Sequence, residues 1–145
     1  MVFRKNMKTK YALISVYDKS DLNYLCKNLK KHSYKFIATG STFKKIKSFG
    51  YNCIELSKAT GFKEILGGRV KTLNPKVYGS ILHLRDNKKH IEEFKNLNFP
   101  KIDLVIVNMY PFESFPKNNK EKEIIEMIDI GGNTLLRASS KNYKF

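Results

Sequence analysis

The chain has 145 residues, 41% of them hydrophobic, enough for one domain with one core and too apolar for a disordered chain. Its net charge of +15 comes from lysines dispersed along the whole length, without a basic arm, an RNP-like aromatic pattern or zinc-finger spacing. It reads as a solvated surface, so no specific nucleic-acid partner is expected, and no apolar run approaches the roughly 20 residues of a membrane helix.

The segment 1–10 is a basic N-terminal tail, and the apolar run behind it, Ala12 to Val16, is too short for a secretory signal. One domain is expected from residue 11 to residue 145. Tyr11 to Val16 reads as a buried strand. Ser20 or Asp21 then caps a helix with Leu22, Leu25, Cys26 and Leu29 on one face, the stripe of a helix lying on a sheet. Lys35 to Ala38 is a second strand. Thr39-Gly40-Ser41-Thr42 leads into a helix with Phe43, Ile46 and Phe49 inward, ended by Gly50. Asn52 to Leu56 is a third strand, Phe62 to Leu66 a helical turn or two, and Pro75 opens a helix to about Leu82. A further helix spans Asn87 to about Leu97. Leu104 to Val107 is the clearest strand, its β-branched run arguing for burial on both faces. Glu121 to Ile128 follows as a helix with Ile124, Ile125 and Ile128 inward, and Thr134 to about Lys141 as the last one. Strands alternating with helices imply α/β architecture with a mainly parallel sheet.

Cys26 and Cys53 form no CxxC pair, and the three histidines show no ligand spacing. Both cysteines are expected as buried reduced thiols in a cytoplasmic protein, without a disulfide or a metal site. There is no P-loop, G-x-G-x-x-G, G-x-S-x-G or HExxH, which argues against nucleoside triphosphate hydrolysis and against serine or zinc hydrolases.

Ligands of open α/β sheets bind beyond the carboxyl ends of the strands. On this chain those ends carry Ser15, Asp18, Lys19 and Ser20, then Thr39 to Thr42, then Asn108 and Tyr110. The Thr39–Thr42 loop opens a helix, so its amides and hydroxyls would meet an anion, unless Thr42 serves only as a cap. In Gly67-Gly68-Arg69-Val70-Lys71-Thr72 an extended backbone would project Arg69 and Lys71 together, suited to a phosphate or a developing oxyanion. The same loop could be plain lysine-rich surface, and by itself leaves both readings open. Gly131 and Gly132 bring Asp129 to a backbone that can approach a ligand. Asp129 and Lys141 would be either a proton-moving pair or an ordinary helix-end ion pair.

Ile14 to Lys19, Thr39 to Thr42, Gly61-Phe62-Lys63-Glu64-Ile65-Leu66-Gly67-Gly68-Arg69-Val70-Lys71-Thr72-Leu73, Asn108 to Phe112, and Ile128 to Gly132 continuing through Leu135-Leu136-Arg137-Ala138 to Lys141-Asn142 occur in this order. Together they resemble the inosine monophosphate (IMP) cyclohydrolase domain of the bifunctional purine-biosynthesis family. The resemblance implies a three-layer, methylglyoxal-synthase-like α/β fold and a homodimer. It implies ring closure of 5-formamidoimidazole-4-carboxamide ribonucleotide (FAICAR) to IMP, without metal or coenzyme. On the matching positions, phosphate and ribose would lie near Ser15, Lys19, Thr39, Gly40, Ser41, Thr42, Arg69 and Thr72, with Gly131 and Gly132 also at the substrate. Lys71 would face the formyl oxygen, Asn108 and Tyr110 would flank the base with Tyr110 as candidate acid, and Asp129 with Lys141 would relay a proton. Against the family pattern, Tyr17 stands for a serine, Ser41 for a glycine, Asn74 for a histidine, and Ser139 and Ser140 for alanines. The resemblance also implies a C-terminal truncation, with a further strand and the formyltransferase half absent. Two other readings share the fold: methylglyoxal synthase, whose histidine after the first strand has no counterpart in Tyr17-Asp18-Lys19, and a non-catalytic phosphate- or nucleotide-binding module.

Overall fold

A computed structural model describes residues 9–114 and 121–145. Four strands, β1 (Lys10–Val16), β2 (Tyr34–Ala38), β3 (Cys53–Glu55) and β4 (Ile102–Asn108), form one sheet in the order β3-β2-β1-β4. Every pairing is parallel. The helices are α1 (Leu22–Lys31), α2 (Gly40–Ser48), α3 (Leu56–Thr60), α4 (Pro75–Leu82), α5 (Lys88–Asn96), α6 (Glu121–Glu126) and α7 (Gly131–Lys141).

Alternation along the strands sorts the core into two layers, because successive side chains leave a strand on opposite faces. Ala12, Ile14 and Val16 with Phe36 and Ala38 pack against Leu22 and Cys26 of α1 and Ile46 of α2. Leu13 and Ile37 face the other way, onto Leu56 of α3, Val77 and Ile81 of α4, and Leu135 and Ala138 of α7. The sheet is therefore covered on both faces: the α/β architecture the alternating pattern predicts, in the three-layer form the resemblance implies. Cys26 is buried as expected, whereas Cys53 is only half-buried at the short edge strand β3; burial pushes the Cys26 thiol up to about 11 and the Cys53 thiol up to about 12.

Four local expectations are corrected. The helical turn placed at Phe62–Leu66 lies upstream, at Leu56–Thr60. Gly61 ends that helix in the left-handed region (φ 74°), and Thr60 Oγ1 donates to Leu56 O and accepts from the Phe62 amide, so Gly61 is a stop and Phe62 to Ile65 are not helical. In β4, Leu104 to Val107 are half-buried, because β4 is the edge strand of the described sheet. The helix expected at Glu121–Ile128 ends at Glu126, and Ile125 within it and Ile128 beyond it are about half exposed, so the expected stripe has no core beneath it. At α1, Asp21 occupies the cap position without a side-chain cap bond. The Ser20 amide and hydroxyl both donate to Asp18, whose carboxyl they hold below the usual range. The basic tail lies almost wholly outside the described residues.

Candidate active site

At the carboxyl ends of β1, β2 and β4 lies a cavity of about 470 Å³. One wall is the start of α2. Thr39 takes the cap position with extended backbone but makes no side-chain cap bond; its hydroxyl lies 3.1 Å from Ser15 Oγ. Among the described residues the amides of Gly40, Ser41 and Thr42 find no acceptor, as the first turn of a helix leaves them. They are ready donors for an anion, favoured by the helix dipole. Thr42 contributes only its backbone: its hydroxyl is buried, donates to Val16 O and accepts from the Val16 amide. The Lys19 ammonium lines the same wall and donates to Tyr17 O at 2.8 Å.

The opposite wall is the glycine loop. Gly67 (φ 63°) and Gly68 (φ 92°) take left-handed backbone that closes Ile65 onto Val70 through an antiparallel bridge. A Cβ on Gly68 would also lie 2.6 Å from Lys71 Cε, because the lysine folds back over it. Arg69 is in helical conformation (φ −64°, ψ −27°), so the extended backbone expected for Arg69–Lys71 is not formed. The tight turn, rather than strand alternation, brings both side chains to the cavity. A Cβ on Gly40 would stand 4.0 Å from Lys71 Nζ, which sets that ammonium beside the first turn of α2. Both cations have carboxylate partners. Glu64 lies 3.3 Å from Lys71 Nζ. Glu126 of α6 takes Arg69 Nε on one oxygen and Nη2 on the other. That fork holds the Glu126 carboxyl below its usual range and raises the arginine.

The floor is the start of α7. Asp129 Oδ1 accepts from the Gly132 amide at 2.6 Å, and a Cβ on Gly132 would meet Asp129 Oδ2 at 2.7 Å. A Cβ on Gly131 would meet Thr72 Oγ1 at 2.7 Å. Both glycines are thus required by close approach, and they seat Asp129 and buried Thr72 in the lining. Lys141 is not brought there. It stands exposed at the far end of α7, roughly 15 Å from Gly131 at 1.5 Å per residue. Asn108 lines the cavity, but its side chain is occupied in bracing the β1–α1 loop: Oδ1 accepts from the Tyr17 and Asp18 amides and Nδ2 donates to Asp18 O. Tyr110 is partly exposed at the rim, its ring 4.9 Å from that of Tyr17.

Sequence reasoning missed Glu126, Glu64 and the contact of Tyr17 with Tyr110. Tyr17 and Tyr110 follow neighbouring parallel strands, so strand order would have found that contact. Nothing in the sequence links Glu126 to Arg69, 57 positions away. Asn74, by contrast, caps α4 by accepting from the Lys76 amide, a role its residue type foretells.

The chain that builds this parallel sheet and cavity matches the model of the MGS-like domain family over residues 21–134. The chain belongs to that family. Among curated proteins it is 47% identical to the bifunctional purine biosynthesis protein PurH of Clostridium acetobutylicum, over 93% of this chain and 27% of that protein. It is 45% identical to PurH of Caldicellulosiruptor saccharolyticus and 48% identical to PurH of Clostridioides difficile, in each case over 94% of this chain and 27% of that protein. The chain therefore spans about a quarter of the length of these relatives. Among solved structures, the crystal structure of ForH superposes with a TM-score of 0.80 at 30% identity, covering 94% of this chain and 70% of that one. No helix among the described residues is long and apolar enough to cross a membrane.

Proposed function

We propose that this chain is an IMP cyclohydrolase that closes FAICAR to IMP and water. The observation that carries the reading is the cavity itself. It combines free amides at the start of α2 with two cations on the glycine loop and a carboxylate at the start of α7, in a chain nearly half identical to PurH over almost its whole length.

In this reading the substrate phosphate sits against the Gly40–Thr42 amides, with Lys19 and Arg69 as charge partners. The carboxamide nitrogen attacks the formyl carbon and forms the new C–N bond. The formyl oxygen gathers charge beside Lys71, then leaves as water with one hydrogen from the carboxamide nitrogen and one from the formamido nitrogen. Asp129 is the carboxylate within reach of that proton traffic, and Tyr110 the candidate acid at the rim. Holding both reacting groups of one molecule in contact supplies much of the acceleration. Isothermal titration tests the phosphate site: IMP should bind far more tightly than inosine, and equal affinities would remove the site from the reading. Formation of IMP from FAICAR, followed by absorbance, tests the activity.

One observation favours a second reading, a phosphate-binding module without catalysis: Lys141 is far from Asp129, so their proton relay is not assembled within one chain. A homodimer and a cytoplasmic location complete the proposal. Exposed apolar side chains near the cavity, among them Met109, Phe112, Ile128 and Ile130, support a partner surface, and light scattering tests it.

A further inference from the structure

Arg69 and Glu126 make a fork-to-fork pair at the cavity wall. Arg69 donates from Nε to Glu126 Oε2 and from Nη2 to Oε1. Two parallel donors meeting two oxygens of one anion is also the geometry by which a guanidinium holds a phosphate. The carboxylate thus stands where a ligand oxygen pair would stand, and both residues line the cavity. The element that carries Glu126 is loosely seated. No residue of α6 is buried, and Ile125 keeps about half its surface exposed. The pair is itself exposed, at 61% and 43% for the two side chains, so water can exchange into it. At the other cation, Glu64 does the same more weakly, with one contact to Lys71 at 3.3 Å.

We propose that Glu126 is an internal competitor for the anion subsite of Arg69. Its carboxylate fills the guanidinium fork, and a phosphate monoester must displace it, releasing α6. The proposal rests on the reading of Arg69 as a phosphate contact. It makes Glu126 the residue that sets the apparent affinity for phosphate-bearing ligands. A dianionic phosphate outcompetes a carboxylate for the fork, whereas a nucleoside without phosphate has nothing to exchange for it and leaves α6 in place. The cost appears as a reduced apparent affinity, because only the fraction of molecules with Arg69 free is ready to bind.

The test uses the full chain, wild type and Glu126→Gln, with IMP and inosine titrated calorimetrically at low salt. Hydrogen exchange is followed over residues 121–128. Glu126→Gln should bind IMP about threefold tighter, the gain expected from freeing Arg69, with inosine unaffected. Saturating IMP should speed exchange of the α6 amides in the wild type and change them little in Glu126→Gln, where they are already fast. Equal or weaker IMP binding by the variant would overturn the proposal, since Glu126 would then be a bystander or a ligand contact. If the wild type binds no IMP, the purine-nucleotide reading fails. The pairing is then decided by exchange alone, with Arg69→Ala as the second variant. Slow α6 exchange in both variants sinks the competitor role, and fast exchange that inorganic phosphate reproduces in the wild type supports it.

Discussion

The two ends of the sheet use the same residue types to opposite effect. At the amino end of β4, Asp103 accepts from Arg85 at 3.0 Å, from Lys101 at 2.7 Å and from the Tyr11 amide at 3.1 Å. Arg85 also donates to Ile102 O. The Asp103 side chain is only 12% exposed, and the cluster ties the start of β1 to the start of β4. At the carboxyl end, Lys71 and Arg69 meet Glu64 and Glu126 in pairs that are each about half exposed. Burial decides the difference. A desolvated pair cannot lose a partner without stranding a charge, whereas an exposed pair exchanges with water or with another anion. One end is built as a clasp, and the other holds its charges available.

The largest expected effect lies at the clasp. Asp103→Ala leaves the partly buried Arg85 and Lys101 without their shared acceptor and should cost up to about 3 kcal/mol, less than a fully buried pair. For a chain of this size that is a fall in Tm of roughly 10 °C. Calorimetry should show it at any ionic strength, and a change of only a degree or two would mean that the clasp is ordinary surface.

At the carboxyl end the expected loss is in rate. Lys71→Ala should lower kcat for FAICAR cyclisation by about 10²–10³, the usual effect of removing one donor to a developing oxyanion, with IMP affinity little changed. Arg69→Ala should raise KM more than it lowers kcat, because a phosphate contact exists before and during reaction alike. Near-normal kcat in Lys71→Ala would make that lysine a binding or surface group. Thermal melts of both variants should stay close to wild type, the opposite of Asp103→Ala.

This division also explains which parts of the molecule are legible in its sequence. Strand and helix periodicity gave β1, β2, α4 and α7 within a few residues, because Leu13, Ile14, Val77 and Leu135 are buried wherever the chain goes. The donor-rich loops at the strand ends were legible for the same reason: a parallel sheet puts those ends on one side. The failures came where tertiary context overrides local pattern. Gly61 looks the same as a helix start or a helix stop until Thr60 bonds across it. The α6 isoleucines have helical spacing, but spacing does not say whether a core lies beneath. Thr42 and Asn108 do line the cavity, yet their side chains hold the end of β1 and the loop after it, a role their residue types do not announce. Residue type alone cannot distinguish a polar group facing a cavity from one holding its wall.

A pH dependence should also separate the two ends. His83, near the clasp, stacks on Phe94 at 4.1 Å and donates from Nδ1 to Gly79 O. Burial, with Arg85 and Lys101 nearby, lowers its pKa below the ordinary value of about 6.5. The folded form therefore resists a proton that the unfolded chain takes up. Stability should be full above pH ~6.5, fall as the pH drops through it, and stop falling on this account below the folded pKa, by about 1.4 kcal/mol per unit of depression. His83→Gln should flatten the Tm profile between pH 7 and 5. An unchanged slope in the variant would assign the acid sensitivity to other groups.

The smallest expected effect is the coupling between Lys71 and Glu64, and it bears most directly on the contrast. At 3.3 Å, with side chains 41% and 55% exposed, the pair belongs with surface ion pairs worth about 0.2–1 kcal/mol or less. A double-mutant cycle with Lys71→Met and Glu64→Gln should give a coupling near the bottom of that range at 0.15 M salt. It should vanish at 1 M, where the screening length is about 3 Å. The parallel cycle on Arg85 and Asp103 should keep most of its coupling at both salt concentrations, because partly buried pairs are screened much less than exposed ones. If instead the Lys71–Glu64 coupling exceeded ~1 kcal/mol and survived high salt, the glycine loop would be a fixed part of the fold. Its lysine would then be committed to Glu64, and the cavity would have to find its oxyanion partner elsewhere.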